Sequence, residues 1–224
     1  MRVLAMECST FAGGVALLDG ERLLGEYLLD TRVTHSERLM IAVDRVLSDV
    51  GWSVGDLDGL AVSIGPGSFT GLRIALGTAR GLAFGRRLPV AAVPTLDAMA
   101  ASVPFAALPV CPVIDARKGE VYAAFYRWDG ATARRESEYL AMAPAELASR
   151  LDEPTILLGD GARSILSPQV RLAPPARRVP SPATVAQLGH ERLIRGDTVP
   201  ASNLVPLYLR PSQAELRRRG VAVS

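Results

Sequence analysis

The chain has 224 residues, enough for one large domain or for two small lobes with cores of their own. Lys and Arg number 25 against 23 Asp and Glu, and this net charge of +2 gives no general argument for binding nucleic acid or membrane. The two cysteines, Cys8 and Cys111, are too few for a disulfide framework or a zinc cluster.

The opening MRVLAMECST carries Glu7 where a signal peptide needs an unbroken apolar run. Residues 103–114 are apolar but too short for a bilayer, and they contain three prolines. The expectation is a soluble cytoplasmic protein with no membrane contact.

Residues 2–6 read as a buried strand and 13–18 as a second. Asp19-Gly20 signals a hairpin turn into a third strand at 22–29. Thr34 and Glu37 have capping-box spacing at the start of a helix. Leu39, Val43, Val46, Leu47 and Val50 recur on one face of it, and Gly51 ends it. A fourth strand at 57–64 leads through GPGSFTGLR into a helix at 69–84. A fifth strand at 89–93 and a short helix at 95–102 follow.

The pattern then restarts. Residues 109–114 form an apolar strand ending at Asp115, as the first ends at Glu7. The turn ARKG leads to one strand over 120–128, Asp129-Gly130 turns the chain, and a strand covers 133–140. A helix at 144–151 has proline in its first turn. A strand at 155–158, a helix at 184–195 and an extended LVPLYLR complete the reading. The order β-β-β-α-β occurs twice. It predicts two similar α/β lobes with a cleft between them, residues 1–102 and 103–224.

GPGSFTGLR looks like a phosphate loop but lacks its chemistry. A Walker loop ends in Lys-Ser/Thr, whereas Gly71 is followed by Leu72 and Arg73. The dinucleotide fingerprint fails in spacing and in element order. The loop reads as a turn that aims the helix, with an unspecific anion site at the helix N-terminus as the alternative.

Within that helix Gly77, Gly81 and Gly85 fall four apart. An interior glycine costs about 1 kcal/mol relative to alanine, so a close backbone contact is expected along the row. The contact is either within the lobe or with another subunit.

His35 and His190 form no metal pair and read as a first-turn helix residue and a surface residue, with isolated ligation as the alternative for each. No serine sits in a nucleophile elbow. Glu7 and Asp115 face a cleft as phosphate-positioning acids, or serve as strand-end acids bonded to turn amides. No aromatic–basic stripe is visible along the chain, so weak, unspecific nucleic-acid binding is expected, with Arg217, Arg218 and Arg219 as the exception.

HSERL at 35–39, GPGSFTGLRIALGTARGLAFG at 65–85 and YLR at 208–210, in this order along the whole chain, resemble the TsaB (YeaZ) family. The resemblance implies the two-lobed sugar kinase/Hsp70/actin-type (ribonuclease H-like) fold. It implies a non-catalytic paralogue of TsaD, the tRNA threonylcarbamoyl transferase, acting in formation of N6-threonylcarbamoyladenosine beside the anticodon. The implied partners are TsaD in a heterodimer, the ATPase TsaE in the complex, an upstream carbamoyl-adenylate synthase, a second copy when alone, and tRNA only through the complex.

No catalytic, cofactor or metal residue is implied. The implied partner face comprises His35, Leu39, Val43, Gly65, Pro66, Gly67, Phe69, Thr70, Arg73, Gly77 and Gly81.

Two features weaken any phosphate site. Glu7 stands where the family usually has aspartate. Arg117 and Lys118 stand where phosphate loops want glycine. GDGA at 159–162 resembles a relic of an adenosine loop. An ATP-dependent kinase or peptidase-like enzyme, and a self-sufficient homodimeric binding module, are the alternative readings.

Overall fold

A computed structural model describes residues 1–31 and 35–210, except for the side chain of His35. The Thr34 capping box and the arginines at 217–219 lie outside the described residues.

The first sheet contains β1 (Arg2–Glu7), β2 (Ala12–Asp19), β3 (Arg22–Asp30), β4 (Gly59–Gly65) and β5 (Val90–Pro94), in the order β3-β2-β1-β4-β5. The first three strands are antiparallel, and β4 and β5 continue parallel to β1. Successive side chains of a strand point to opposite faces. Leu4 and Met6 of β1 therefore join one core with α1 (His35–Asp49) and α2 (Phe69–Arg86). Val3 and Ala5 join a second core on the other face. Both faces are covered, so β1 reads as an unbroken apolar run.

The second sheet repeats the plan. β6 (Val110–Arg117), β7 (Glu120–Ala123), β10 (Leu140–Met142), β11 (Thr155–Leu158) and β12 (Val170–Leu172) run in the order β10-β7-β6-β11-β12. Allowing for one inserted hairpin, the third, second, first, fourth and fifth strands stand side by side in both sheets. That hairpin corrects the sequence reading. The strand expected over 120–128 divides into β7 and β8 (Tyr126–Trp128), and the next into β9 (Ala133–Arg135) and β10. The break has a local cause: the Phe125 amide donates to Ser137 Oγ at 2.9 Å, and the Glu136 amide donates to the Phe125 carbonyl at 2.8 Å. β8 and β9 pair with each other, and β8 also touches β6. Strand β12 had no sequence signal.

The sheets divide between residues 94 and 110, but the helices cross over. α3 (Thr95–Ala101) packs Leu96, Met99 and Ala100 into the second sheet's core. α5 (Pro182–Ile194), two residues longer at its start than expected, packs Val185, Ala186 and Leu193 onto the first sheet. Ser181 caps α5 by accepting from the Thr184 amide. The carboxylate of Glu26 on β3 accepts from Ser181 Oγ at 2.7 Å and from the Ala183 amide at 3.0 Å. A negative charge at a helix N-terminus is favourable. His190, read as a surface residue, is buried at 8 % exposure because α5 lies flat on the sheet. α4 (Pro144–Ser149) covers the second sheet's other face through Leu147.

The closest point of this docking is Gly189. A side-chain carbon there would lie 2.2 Å from Ala61 Cβ on β4. Overpacking of this kind costs about 1–3 kcal/mol. Gly189→Leu is therefore expected to lower the thermal midpoint by roughly 2–12 °C, at about 2–4 °C per kcal/mol for a chain of this size. An unchanged midpoint in differential scanning calorimetry would show that α5 does not dock here.

Candidate functional site: the glycine loop and the α1–α2 face

The loop from Gly65 to Ser68 joins β4 to α2 and is held by the turn after β1. The Ser68 amide donates to the Ser9 carbonyl at 2.6 Å. Ser68 Oγ caps α2 by accepting from the Gly71 amide at 3.3 Å. A side-chain carbon at Gly67 would lie 2.3 Å from the Ser9 oxygen. The Ser9 carbonyl thus takes up the Ser68 amide. The loop aims the helix, as the missing lysine predicted, and Gly65 and Pro66 are buried beneath it.

The strand-end acids are also committed inside the chain. Glu7 is fully buried. Its Oε1 accepts from the Ser9 amide at 2.5 Å, while its Oε2 and Ser9 Oγ have no hydrogen-bond partner of normal geometry. Burial is the largest influence and raises the Glu7 carboxyl above the usual range, against weaker opposing contributions from Ser63 and Ser9. Asp115 accepts from the Arg117 amide at 2.8 Å and pairs with the Arg117 guanidinium at 3.1 Å. Its own amide donates to Asp160 at 2.9 Å, and burial pushes the Asp160 carboxyl up. Within GDGA the Gly161 amide donates to the Val113 carbonyl at 3.1 Å. Arg117 and Lys118 adopt the left-handed backbone, with φ of 63° and 54°. Among the described residues, no group of three or more His, Cys, Asp or Glu could hold a metal ion.

The glycine row gives the opposite picture. Gly77, Gly81 and Gly85 are exposed on α2, and a side-chain carbon built at any of them meets nothing within 4 Å. The contact expected along the row is not made by any of the described residues. Phe84, on the same helix, is 87 % exposed. α1 packs beside α2 and presents Met40 and Ile41, 48 % and 69 % exposed.

The structure separates the expected interface residues. Phe69, Thr70, Arg73, Gly77 and Gly81 are exposed. Leu39 and Val43 are corrected: at 3 % and 1 % exposure they belong to the core beneath α1 and cannot touch a partner. Gly65 and Pro66 are likewise buried, and Gly67 is half-buried against Ser9. Their role is to place the helix. His35 begins α1, and its side chain lies outside the described residues. Sequence reasoning missed Met40, Ile41 and Phe84. The signal was available for the first two, because both fall outside the apolar stripe that includes Leu39 and Val43.

The C-terminal segment closes over the start of α2. The Leu207 amide donates to the Ile64 carbonyl at 2.7 Å, so LVPLYLR runs extended without forming a strand. Arg80 donates to the Leu204 carbonyl. Tyr208 stacks on Phe69 at 5.3 Å and accepts from Arg73 Nε at 3.2 Å, and the Arg73 guanidinium lies 3.9 Å from the Phe69 ring centre.

Two sheets of one strand order, linked by exchanged helices, define the two-lobed actin, sugar kinase and Hsp70 class of α/β proteins. The activator of the 2-hydroxyisocaproyl-CoA dehydratase from Clostridium difficile shares this fold, with a TM-score of 0.51 at 8 % identity over 88 % of this chain and 97 % of its own. The family model described as "TsaD: tRNA N6-adenosine threonylcarbamoyltransferase" matches residues 30–163. The Bacillus subtilis tRNA threonylcarbamoyladenosine biosynthesis protein TsaB is 30 % identical, with 97 % of each chain covered. YeaZ from Pseudomonas aeruginosa superposes with a TM-score of 0.82 at 31 % identity, over 93 % of this chain and 99 % of its own. The chain belongs to the TsaB (YeaZ) family of tRNA threonylcarbamoyladenosine biosynthesis proteins. No helix among the described residues is long and apolar enough to cross a membrane.

The Glu7 site makes a pH prediction. Its folded pKa is raised, so the native state holds the proton more tightly than the unfolded chain. The stability this contributes is full below about pH 4.5 and is lost as pH rises through the folded value. Glu7→Gln cannot ionise. It is expected to flatten this decline, so that the variant gains stability relative to the parent as pH rises. Urea unfolding from pH 4 to pH 8 checks it. A variant less stable than the parent at neutral pH would mean that the carboxylate is needed in its charged form.

Proposed function

We propose that this chain is a non-catalytic subunit of the threonylcarbamoyl transferase complex and pairs with TsaD through the α1–α2 face. The observation that carries the reading is the exposed row of Gly77, Gly81 and Gly85, with nothing above it among the described residues. Met40, Ile41 and Phe84 add large apolar side chains on the same pair of helices. A partner helix can approach a glycine row more closely than a leucine row, and four-residue spacing keeps the row on one side.

The occupied glycine loop supports the non-catalytic part. Its Ser68 amide is bonded to Ser9, and Asp115 is bonded to the Arg117 amide. In this reading TsaE joins the complex, tRNA is engaged within it, and the same face serves a second copy when TsaD is absent. An ATP-dependent kinase or peptidase-like enzyme would need ligands that these groups do not offer. Magnesium-dependent ATP turnover by the purified chain, abolished by Glu7→Ala, would favour that reading instead.

The two kinds of substitution at Gly81 are expected to separate fold from partnership. Gly81→Ala has open space and is expected to stabilise the isolated chain by about 0.5–1 kcal/mol. Gly81→Leu is expected to leave the isolated chain folded and to weaken pairing with TsaD by about 1–3 kcal/mol, roughly ten- to hundredfold. Thermal unfolding of the monomer and light scattering after size exclusion with TsaD make the two measurements. Unchanged pairing by Gly81→Leu would place the interface elsewhere.

A further inference from the structure

The half built on the first sheet grips the tip of the β6–β7 hairpin from two sides. Arg117 and Glu120 are direct partners flanking the two-residue turn Lys118-Gly119. The Arg117 guanidinium lies 5.1 Å from the ring centre of Phe11, in the turn after β1. Arg38 of α1 holds that turn, donating to the Phe11 carbonyl at 2.9 Å. Glu120 pairs with Arg210, at the end of the C-terminal segment. That segment is docked on the first half. Leu204 is buried in its core, and the Leu207 amide donates to the Ile64 carbonyl of β4.

Arg117 stands where a side chain costs backbone strain. Its φ of 63° lies in the left-handed region, which glycine and asparagine adopt more readily. Asp115 holds it there, accepting from the Arg117 amide at 2.8 Å and from the guanidinium at 3.1 Å. Turn geometry does not call for arginine at this position, whereas the contact across to Phe11 does. α3 and α5 join the halves through buried apolar cores. The two grips are of another kind: a cation over an exposed ring, and a half-buried ion pair. Each shifts an equilibrium only about one- to fivefold. Contacts of that strength hold a joint that can open.

We propose that this hairpin is a latch between the two halves, and that the C-terminal segment carries its state to the α1–α2 face. With the latch closed, Arg210 anchors the segment, and Tyr208 stays stacked on Phe69 and bonded to Arg73. With the latch open, that anchor is lost and the first turn of α2 loses its support. The link to the face rests on the pairing with TsaD proposed above, and the latch itself does not.

The test uses Arg117→Asn combined with Glu120→Gln, both on the second half and outside α1 and α2. Asparagine tolerates the left-handed turn. Spin labels at Glu21→Cys and Asp152→Cys, exposed positions on the two halves, report the distance between them in the full chain by double electron–electron resonance. Cys8 and Cys111 are buried and stay unlabelled. Labelled chain is diluted into unlabelled chain, so that only distances within one copy are read. The parent is expected to give one narrow distribution. The double variant is expected to add a longer component, from a roughly three- to thirtyfold rise in the ratio of open to closed chain. Its affinity for TsaD is expected to fall about two- to tenfold. Arg210→Gln breaks the same ion pair from the other side and is expected to shift the distances in the same direction. Circular dichroism checks that each variant is folded, and Arg210→Gln decides alone if the double variant is not.

A parent distribution that is already broad, or variants that leave it unchanged, would overturn the latch. A longer component with unchanged TsaD affinity would overturn the link to the partner face. If the parent does not pair with TsaD, the pairing and the link that rests on it both fail, and the distances alone decide the latch.

Discussion

One hydrogen bond sets the geometry on which the rest depends: the Ser68 amide to the Ser9 carbonyl, at 2.6 Å. It forms only because residue 67 has no side chain, since a carbon there would lie 2.3 Å from the same oxygen. The bond closes the end of β4 onto the end of β1. α2 then leaves the sheet with Leu72, Ala75, Leu76, Ala79 and Ala83 turned inward. The positions between those residues must face out, and they include Gly77 and Gly81. The contact that ties Ser68 to Ser9 thus also presents the glycine row. A loop with room for a phosphate would have needed Ser9 to stand further back, and α2 would have lost its anchor to the first strand.

The crossed helices tie the two sheets into one body. α5 follows the last strand of the second sheet yet seals the first sheet's inner face, while α3 follows the first sheet and contributes Leu96 and Met99 to the second core. Asp97 on α3 accepts from the hydroxyls of Tyr126 at 2.6 Å and Tyr139 at 2.8 Å, both from the second half. These bonds anchor the inserted β8–β9 hairpin against the helix between the sheets. A carboxylate with two phenol donors is well satisfied in a half-buried setting. Glu7, fully buried with one oxygen unpartnered, is not.

The fold was legible because its signals were local. Apolar runs of strand length, turn pairs such as Asp19-Gly20 and the stripe through Leu39 and Val43 each act within about ten residues. The duplication followed from their order. Where the reading failed, the deciding contact was distant. Nothing near Phe125 announces that Ser137 will accept its amide and break the strand, and nothing near His190 announces that α5 lies against Ala61. The proposed interface face was legible at the glycine row. It was blurred on α1, where Leu39 and Val43 belong to the implied partner face but point into the core. Family likeness marks residues that hold a surface in place as readily as residues that form it. The pairing of Arg117 with Phe11 and the stacking of Tyr208 on Phe69 were illegible in principle, because each joins two distant segments.

The exposed glycines also constrain what covers them. An interior glycine lowers helix stability by about 1 kcal/mol, so Gly77 and Gly81 together cost about 2 kcal/mol that no contact among the described residues offsets. Packing of a large side chain from outside would not require glycine, since alanine leaves nearly as much room. Close approach of a backbone does require it, because a side-chain carbon on each helix keeps the axes apart. The row therefore fits a helix crossing at short range better than a loop or an inserted side chain. Met40, Ile41 and Phe84 stand on the same two helices with enough apolar surface to flank such a crossing. Fully burying one side chain of this size is worth about 1.5–3 kcal/mol. Two of them would outweigh the glycine cost, provided that the partner arrives with its own helices already formed.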